Sequence, residues 1–296
     1  AEELGLWDPE SGIEFKVYDT YGKRSYGVGN SRRVWRAQDL LAPSLNLNPW
    51  VFHYPFSVKP DKKVTAQDLM AIERDYLVGT EFDKTQGLAA GPFGNPNRYR
   101  SSVEGYSSGE RSICLPGANW STVVVARKDM PPWIGALTWF GYDNEATTCY
   151  IPIYAGVTEL PKSFAVGLQG GGYDVFNRES AWWAFNVVSN YAELLWTPML
   201  EDIKAVRDPL EAEFFALQPV IEKAALELYE QDPNLARTFI TGYTNSCANR
   251  VVDAYWKLAS QLFGRYNDGR KFADDVYEGT ERIYYPEWWV KKVNLG

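Results

Sequence analysis

The feature that most limits this chain is a change of apolar period near residue 177. From about Asn177 to Gly264, apolar residues recur at helical spacing, as in "RESAWWAFNVVSNYAELLW", where Trp182, Phe185, Val188, Ala192 and Leu195 share one face. Before that point the apolar runs are short and bounded by Gly, Pro and Asn, which reads as strands and turns. The expected class is α+β, with antiparallel sheets and a helical C-terminal region. Residues 1–170 form the β-rich part and residues 171–296 the helical part with an aromatic tail, the two continuous as one domain.

Local signals refine this. "IEFKVYDT" (Ile13 to Thr20) alternates as a strand does, "YGKRSYGVGN" reads as a glycine-rich turn, and "RRVWRAQDLLAPS" as a strand or short helix. Thr65 and Asp68 form a capping pair for a helix from Ala66 to Leu77, ended by Gly79. "RSICL", "NWSTVVVAR", "WIGALTWF" and "ATTCYIPIYAG" read as neighbouring antiparallel strands, with Val123 to Val125 apolar enough to be covered on both faces. "PKSFAVGLQGGGYD" reads as a linker. Pro198 is expected to end or kink the first long helix, and Pro219 to bend the next. Asp208-Pro209 and Asp232-Pro233 are helix starts, Gly242 and Gly264 are stops, and Thr244 is a cap. "RIYYPEWWVKKVNLG" is too aromatic to remain unpacked.

Several function classes fall away. The net charge is −8, and a nucleic-acid groove needs clustered Lys and Arg, so no nucleic-acid partner is expected. The basic cluster "SRRVWR" reads as a strand with an outward charged face. No apolar run reaches the length of a membrane span, so no membrane partner is expected. The 3 cysteines, Cys114, Cys149 and Cys247, are far apart and suit neither a zinc site nor a disulfide framework. With a single histidine, His53, a Ser-His-Asp or Cys-His centre and a His-ligated metal are both disfavoured, and no dinucleotide fingerprint is present. No cofactor or metal is expected. The carboxylate pairs Asp143/Glu145 and Glu81/Asp83 are of a kind common on solvated turns.

Longer blocks carry more. "VKPDKKVTAQDLMAIERDYLVGTEFDKTQGLAAGPFGNPNRY", the frame "WFGYDNEATTCYIPIYAG" with "VTELPKSFAVG", and then "RESAWWAFNVVSNYA" resemble the C69 (PepD-like) dipeptidase family, relatives of the secernins, over Leu6 to Arg207. The resemblance implies an N-terminal-nucleophile hydrolase with a four-layer αββα sandwich. It implies a cysteine nucleophile freed by processing, its own α-amine as base, and dipeptides as substrate. The match begins in what would be the middle of a member, so the nucleophile is expected upstream of Ala1 and no catalytic residue within this chain. The chain alone is then expected to be inactive, with the N-terminal half of the same protein or a second copy as partner. Cys149 then reads as a packed core residue.

Two loops are candidate pocket walls. In Gly91 to Arg98, Asn95 can donate an amide and Arg98 can pair with a substrate carboxylate. In Trp139 to Thr148, Asp143 can meet an ammonium while Thr147 and Thr148 bond the peptide. Arg36 is a weaker candidate. The alternative is an aromatic-rich peptide- or glycan-binding protein without catalysis, since the chain holds 12 Trp, 19 Tyr and 14 Phe.

Overall fold

The structure, a computed structural model, describes residues 1–22, 28–99, 103–105, 109–166, 175–273 and 279–294. The chain divides into two units, Ala1–Asp61 and Lys62–Gly296. Residues 23–27 of the glycine-rich turn expected at 21–30, and the glycine-rich end of the linker expected at 161–174, lie outside the described residues.

The first unit holds helices α1 (Val17–Tyr21) and α2 (Val28–Leu41). Neither "IEFKVYDT" nor "SRRVWR" is a strand. The second is helical because the chain that follows takes up its donors. The Arg32 guanidinium donates to Pro49 O, Trp35 Nε1 to Leu47 O at 2.9 Å, and Gln38 Nε2 to Pro55 O at 2.7 Å. Arg32 and Arg36 are buried, with Arg36 paired to Asp39 at 3.1 Å, so this is not an outward charged face.

The second unit opens with α3 (Ala66–Glu73). Its capping box is as expected. Thr65 Oγ1 accepts from Asp68 N at 3.2 Å, and Thr65 N donates to Asp68 Oδ2 at 2.9 Å. The helix stops at Glu73 rather than Leu77, because Asp75 Oδ1 takes the Leu77 N–H at 2.8 Å and Leu77 turns to φ +67°. "RSICL" forms no strand. Next come β1 (Trp120–Ala126), the short helix α4 (Pro132–Gly135), β2 (Ala136–Tyr142) and β3 (Ile151–Tyr154). They pair in the order β1-β2-β3, antiparallel throughout, with Val123 opposite Trp139 and Trp139 opposite Pro152. Val123 to Val125 are not covered on both faces. Ser121 and Val123 are buried, while Trp120 and Val124 on the other face are exposed.

Helix α5 (Ala181–Ala192) ends ahead of Pro198, which falls in the first turn of α6 (Trp196–Gln231), where a missing N–H is no loss. Helix α7 (Pro233–Arg265) follows, and Asp232 both ends α6 and caps α7, accepting from Asn234 N at 2.8 Å. Asp208-Pro209 does not start a helix, and Gly242 and Thr244 do not divide one. Pro209, Pro219 and Gly242 are all exposed, so their backbone cost falls on the wet side of helices held by the buried side. Thr244 is buried and donates to Pro152 O at 3.0 Å. The ion pairs Asp202–Arg265 and Glu213–Arg250 rise in number along α6 and fall along α7, so the two helices are antiparallel.

The core lies between this hairpin, α5 and the three-stranded sheet. Trp139 stacks on Phe215 at 4.0 Å, and Phe185 meets Tyr255 at 4.5 Å. A second small antiparallel sheet, β4 (Tyr266–Asn267), β5 (Arg270–Phe272) and β6 (Thr280–Arg282), precedes α8 (Glu287–Val293). The tail packs back only in part: Tyr285 lies 5.9 Å from the Phe93 ring, but Tyr284, Tyr285 and Trp288 are exposed and α8 buries no residue. The observed class is α+β with antiparallel sheets. Among the described residues, no helix is long and apolar enough to cross a membrane.

Gly141 on β2 is required by its neighbour on the other arm of the loop. A Cβ there would lie 2.6 Å from Thr148 Cγ2 and Oγ1. Gly141→Ala is expected to destabilise the fold by about 1–3 kcal/mol. Adding Thr148→Ala should recover most of that loss in denaturant melts.

Candidate functional site

The loop joining β2 to β3 carries the residues Asp143 to Thr148, and all six are buried. Its entry is bent by Asp143 at φ +64°, a conformation Asp tolerates better than most side chains. A buried loop must find partners for its backbone carbonyls, and here four consecutive ones are met by side chains. Arg74 Nε donates to Glu145 O at 3.2 Å, Arg207 Nη1 to Ala146 O at 2.6 Å, Tyr255 OH to Thr147 O at 2.5 Å, and Arg74 Nη2 to Thr148 O at 3.1 Å. Arg74 is held in turn by Glu211, through Nη1 to Oε2 at 3.1 Å and Nη2 to Oε1 at 2.5 Å. Glu211 Oε1 also accepts the Tyr150 N–H at 2.8 Å, at the start of β3.

Asn144 organises the inside of the loop. Its Oδ1 accepts from Tyr76 OH at 2.9 Å, Ala146 N at 3.0 Å and Cys114 Sγ at 3.2 Å. Glu145 Oε2 takes the Leu115 N–H at 3.0 Å and the Cys114 thiol at 3.2 Å, and burial holds its carboxyl above the ordinary carboxylate range. Nearby, Tyr150 OH meets Ser121 Oγ at 2.8 Å and donates to Glu73, whose carboxyl is also raised by burial. Among the described residues, three buried polar atoms of this loop find no hydrogen-bond partner: Asp143 Oδ2, Asn144 Nδ2 and Thr148 Oγ1.

The two loops expected as pocket walls both bond α5, one at its C-cap Glu193 and the other at Asn186 midway along it. Asn95 Nδ2 donates to Glu193 O at 3.0 Å and Asn97 Nδ2 to Glu193 Oε1 at 2.5 Å. Asp143 accepts from Asn186 Nδ2 at 3.0 Å on the same helix, and its charge raises the Glu193 carboxyl in addition to burial. Arg98 faces inward to its own loop, donating through Nη1 to Asn95 O and Asn97 O and through Nη2 to Lys84 O. Thr147 Oγ1 donates to Asn144 O at 3.2 Å and is part of the loop's internal bracing.

The sequence reading missed Arg74, Arg207, Glu211 and Tyr255. No local pattern pairs Arg74 with Glu211, which is 137 positions away. Arg36 belongs to the other unit, where it pairs with Asp39.

All three cysteines are free and buried. Burial pushes the Cys114 and Cys149 thiols well up, and the Cys247 thiol up to about 11, so none is poised as a thiolate. Cys149 is a core residue. Of the 12 tryptophans, Trp50, Trp120 and Trp288 are exposed, and Trp139 and Trp196 are among the largest fully buried side chains.

The model for "Peptidase family C69" matches residues 3–208. The chain belongs to peptidase family C69. "Probable dipeptidase A" of Streptococcus pyogenes serotype M3 (strain SSI-1) is 20% identical over 228 residues, covering 75% of this chain and 45% of the relative. "Probable dipeptidase" of Latilactobacillus sakei is 23% identical over 146 residues, covering 49% of this chain and 27% of the relative. The chain thus spans less than half the length of these relatives. The C69 match includes Arg74, the Asp143–Thr148 loop and Arg207, and it stops before Glu211 and Tyr255, which brace that loop from α6 and α7.

Truncating Arg74 would strand the Glu211 carboxylate and two loop carbonyls. Arg74→Ala is expected to cost about 3–5 kcal/mol, and Arg74→Ala/Glu211→Ala less than the sum of the single changes. Asp143 offers a pH test. Burial raises its carboxyl, so wild-type stability falls as pH climbs from the unfolded value through the folded one. Asp143→Asn is expected to be more stable than wild type at neutral pH by about 1–3 kcal/mol. The gap should close as pH drops below about 3, where the wild-type group is protonated in both states.

Proposed function

We propose that this chain is the C-terminal part of a cysteine-type peptidase that hydrolyses dipeptides, with its nucleophile on a segment preceding Ala1. The observation that carries the reading is the state of the thiols. The family is a peptidase family, yet every cysteine here is buried with its thiol pushed up, which favours an attacking group from elsewhere. The reach of the curated relatives beyond this chain leaves room for that segment, and their printed names are those of probable dipeptidases.

In this reading the three-stranded sheet is one layer of the αββα sandwich of an N-terminal-nucleophile hydrolase. On its other face Phe140 and Tyr142 pack on Phe164, while Trp120 and Val124 are exposed, and this open part suits a second sheet from the preceding segment or from a second copy. Asn95, Arg98, Asp143, Thr147 and Thr148 form the substrate wall. Asp143 Oδ2 and Thr148 Oγ1, buried here and without a hydrogen-bond partner among the described residues, are the atoms of that wall left for a peptide's ammonium and backbone. The braced carbonyls keep that loop fixed, so that little reorganisation is needed on binding.

The full-length protein should hydrolyse simple dipeptides such as Ala-Ala. Replacing the cysteine exposed at its processed N-terminus by Ala should lower kcat by at least about 10³-fold, the scale on which loss of a nucleophile acts. Cys149→Ala in the same background should leave kcat near wild type. Hydrolysis by residues 1–296 without the preceding segment, abolished by Cys149→Ala or Cys114→Ala, would refute the assignment.

A further inference from the structure

The segment from Thr80 to Arg98 buries a cation that no carboxylate neutralises. Lys84 is only 8% exposed. Its Nζ meets Ser112 Oγ at 3.3 Å, and that hydroxyl already donates to Cys114 O at 2.6 Å. Arg98 lies beside it, its Nη2 on Lys84 O at 2.6 Å. Arg98 places three of its N–H groups on backbone carbonyls, which leaves two of the five a guanidinium owns. Neither side chain forms an ion pair among the described residues. Burial, and then the Arg98 charge, hold the Lys84 ammonium below its ordinary pKa, and burial does the same for Arg98. Two like charges are thus partly dehydrated with no ion pair among the described residues, an arrangement that a bound anion would relieve.

Both groups line a cleft of about 310 Å³, with Phe82 and Ala89 as apolar wall. Glu81, Asp83 and Glu110 line it too. Asp83 is turned to its own loop, Oδ2 accepting from Gly79 N at 3.0 Å and Oδ1 from Thr85 N at 2.8 Å. A cleft lined by two cations and three carboxylates suits a zwitterion with a single carboxylate better than a multiply charged phosphate. Its back wall joins the Asp143–Thr148 loop through Ser112 and Cys114, whose thiol reaches Asn144 and Glu145.

We propose that Lys84 and Arg98 form the site for the free C-terminal carboxylate of a short peptide, with Lys84 as the buried point charge and Arg98 offering its remaining N–H groups. The identification of the ligand rests on the dipeptidase reading above.

The test uses the full-length protein and the ketomethylene isostere of Ala-Ala, which cannot be hydrolysed, with its C-terminal carboxamide as control. Calorimetry should show the free acid binding at least about tenfold tighter than the amide. Lys84→Met should reduce that preference to below about threefold, and Lys84→Arg should restore part of it. The Tm of Lys84→Met should equal or exceed wild type, because a buried unpaired charge is removed, and this separates lost binding from misfolding. An undiminished acid-over-amide preference in Lys84→Met overturns the site, as does displacement of the isostere by inorganic phosphate at lower concentration than by acetate. If Ala-Ala is hydrolysed but the Lys84→Met preference is intact, the carboxylate site fails and the dipeptidase reading stands. If the preference behaves as expected but Ala-Ala is never hydrolysed, the dipeptidase reading fails and the carboxylate site stands.

Discussion

The bidentate pair between Arg74 and Glu211 is the contact on which the arrangement of the larger unit turns. One guanidinium, leaving the end of α3, closes two carbonyls of the β2–β3 loop and grips a carboxylate on α6. That carboxylate also takes the first N–H of the returning strand segment at Tyr150. Three elements distant in sequence are thereby fixed around one loop that water does not reach. In a low-dielectric setting such a network is favourable only when every member is satisfied. Arg207 and Tyr255 take the remaining two carbonyls, so the four from Glu145 to Thr148 are met, while Asp143 Oδ2, Asn144 Nδ2 and Thr148 Oγ1 are left over among the described residues.

The long α6–α7 hairpin is the brace for this loop. Its buried faces supply Arg207, Glu211 and Tyr255 to the polar network, and Phe214, Ile240 and Val251 to the core. Its exposed faces tolerate Pro209, Pro219 and Gly242. Those residues are helix breakers by local chemistry, and burial of a continuous side is worth more than the bonds they forgo.

Where structure was set by neighbours in sequence, the sequence was readable. The Thr65–Asp68 box and the Asp232-Pro233 start each depend on residues a few positions apart, and β1 and β2 are neighbours in sequence joined through α4. Where tertiary contacts overrode local signals, reading failed. Arg32 and Arg36 look like a charged outer face until the carbonyl at Pro49 and the carboxylate at Asp39 are seen beside them. The candidate site divided the same way. Glycine, proline and asparagine marked the loops of Asn95 and Asp143, because turns announce themselves locally. Lys84 stood within a quoted block without attracting notice, since only its burial beside Arg98 and its lack of a counter-ion set it apart.

The junction at Asp232 leaves a single residue between helices of 36 and 33 residues. No slack exists there to absorb a change in chain length. One residue inserted or deleted inside either helix would rotate everything beyond it by about 100°, carrying Tyr255 or Glu211 off the axis it serves. Composition along the hairpin is therefore negotiable, whereas its residue count between Arg207 and Tyr255 behaves as a fixed gauge, like the tooth number of a gear.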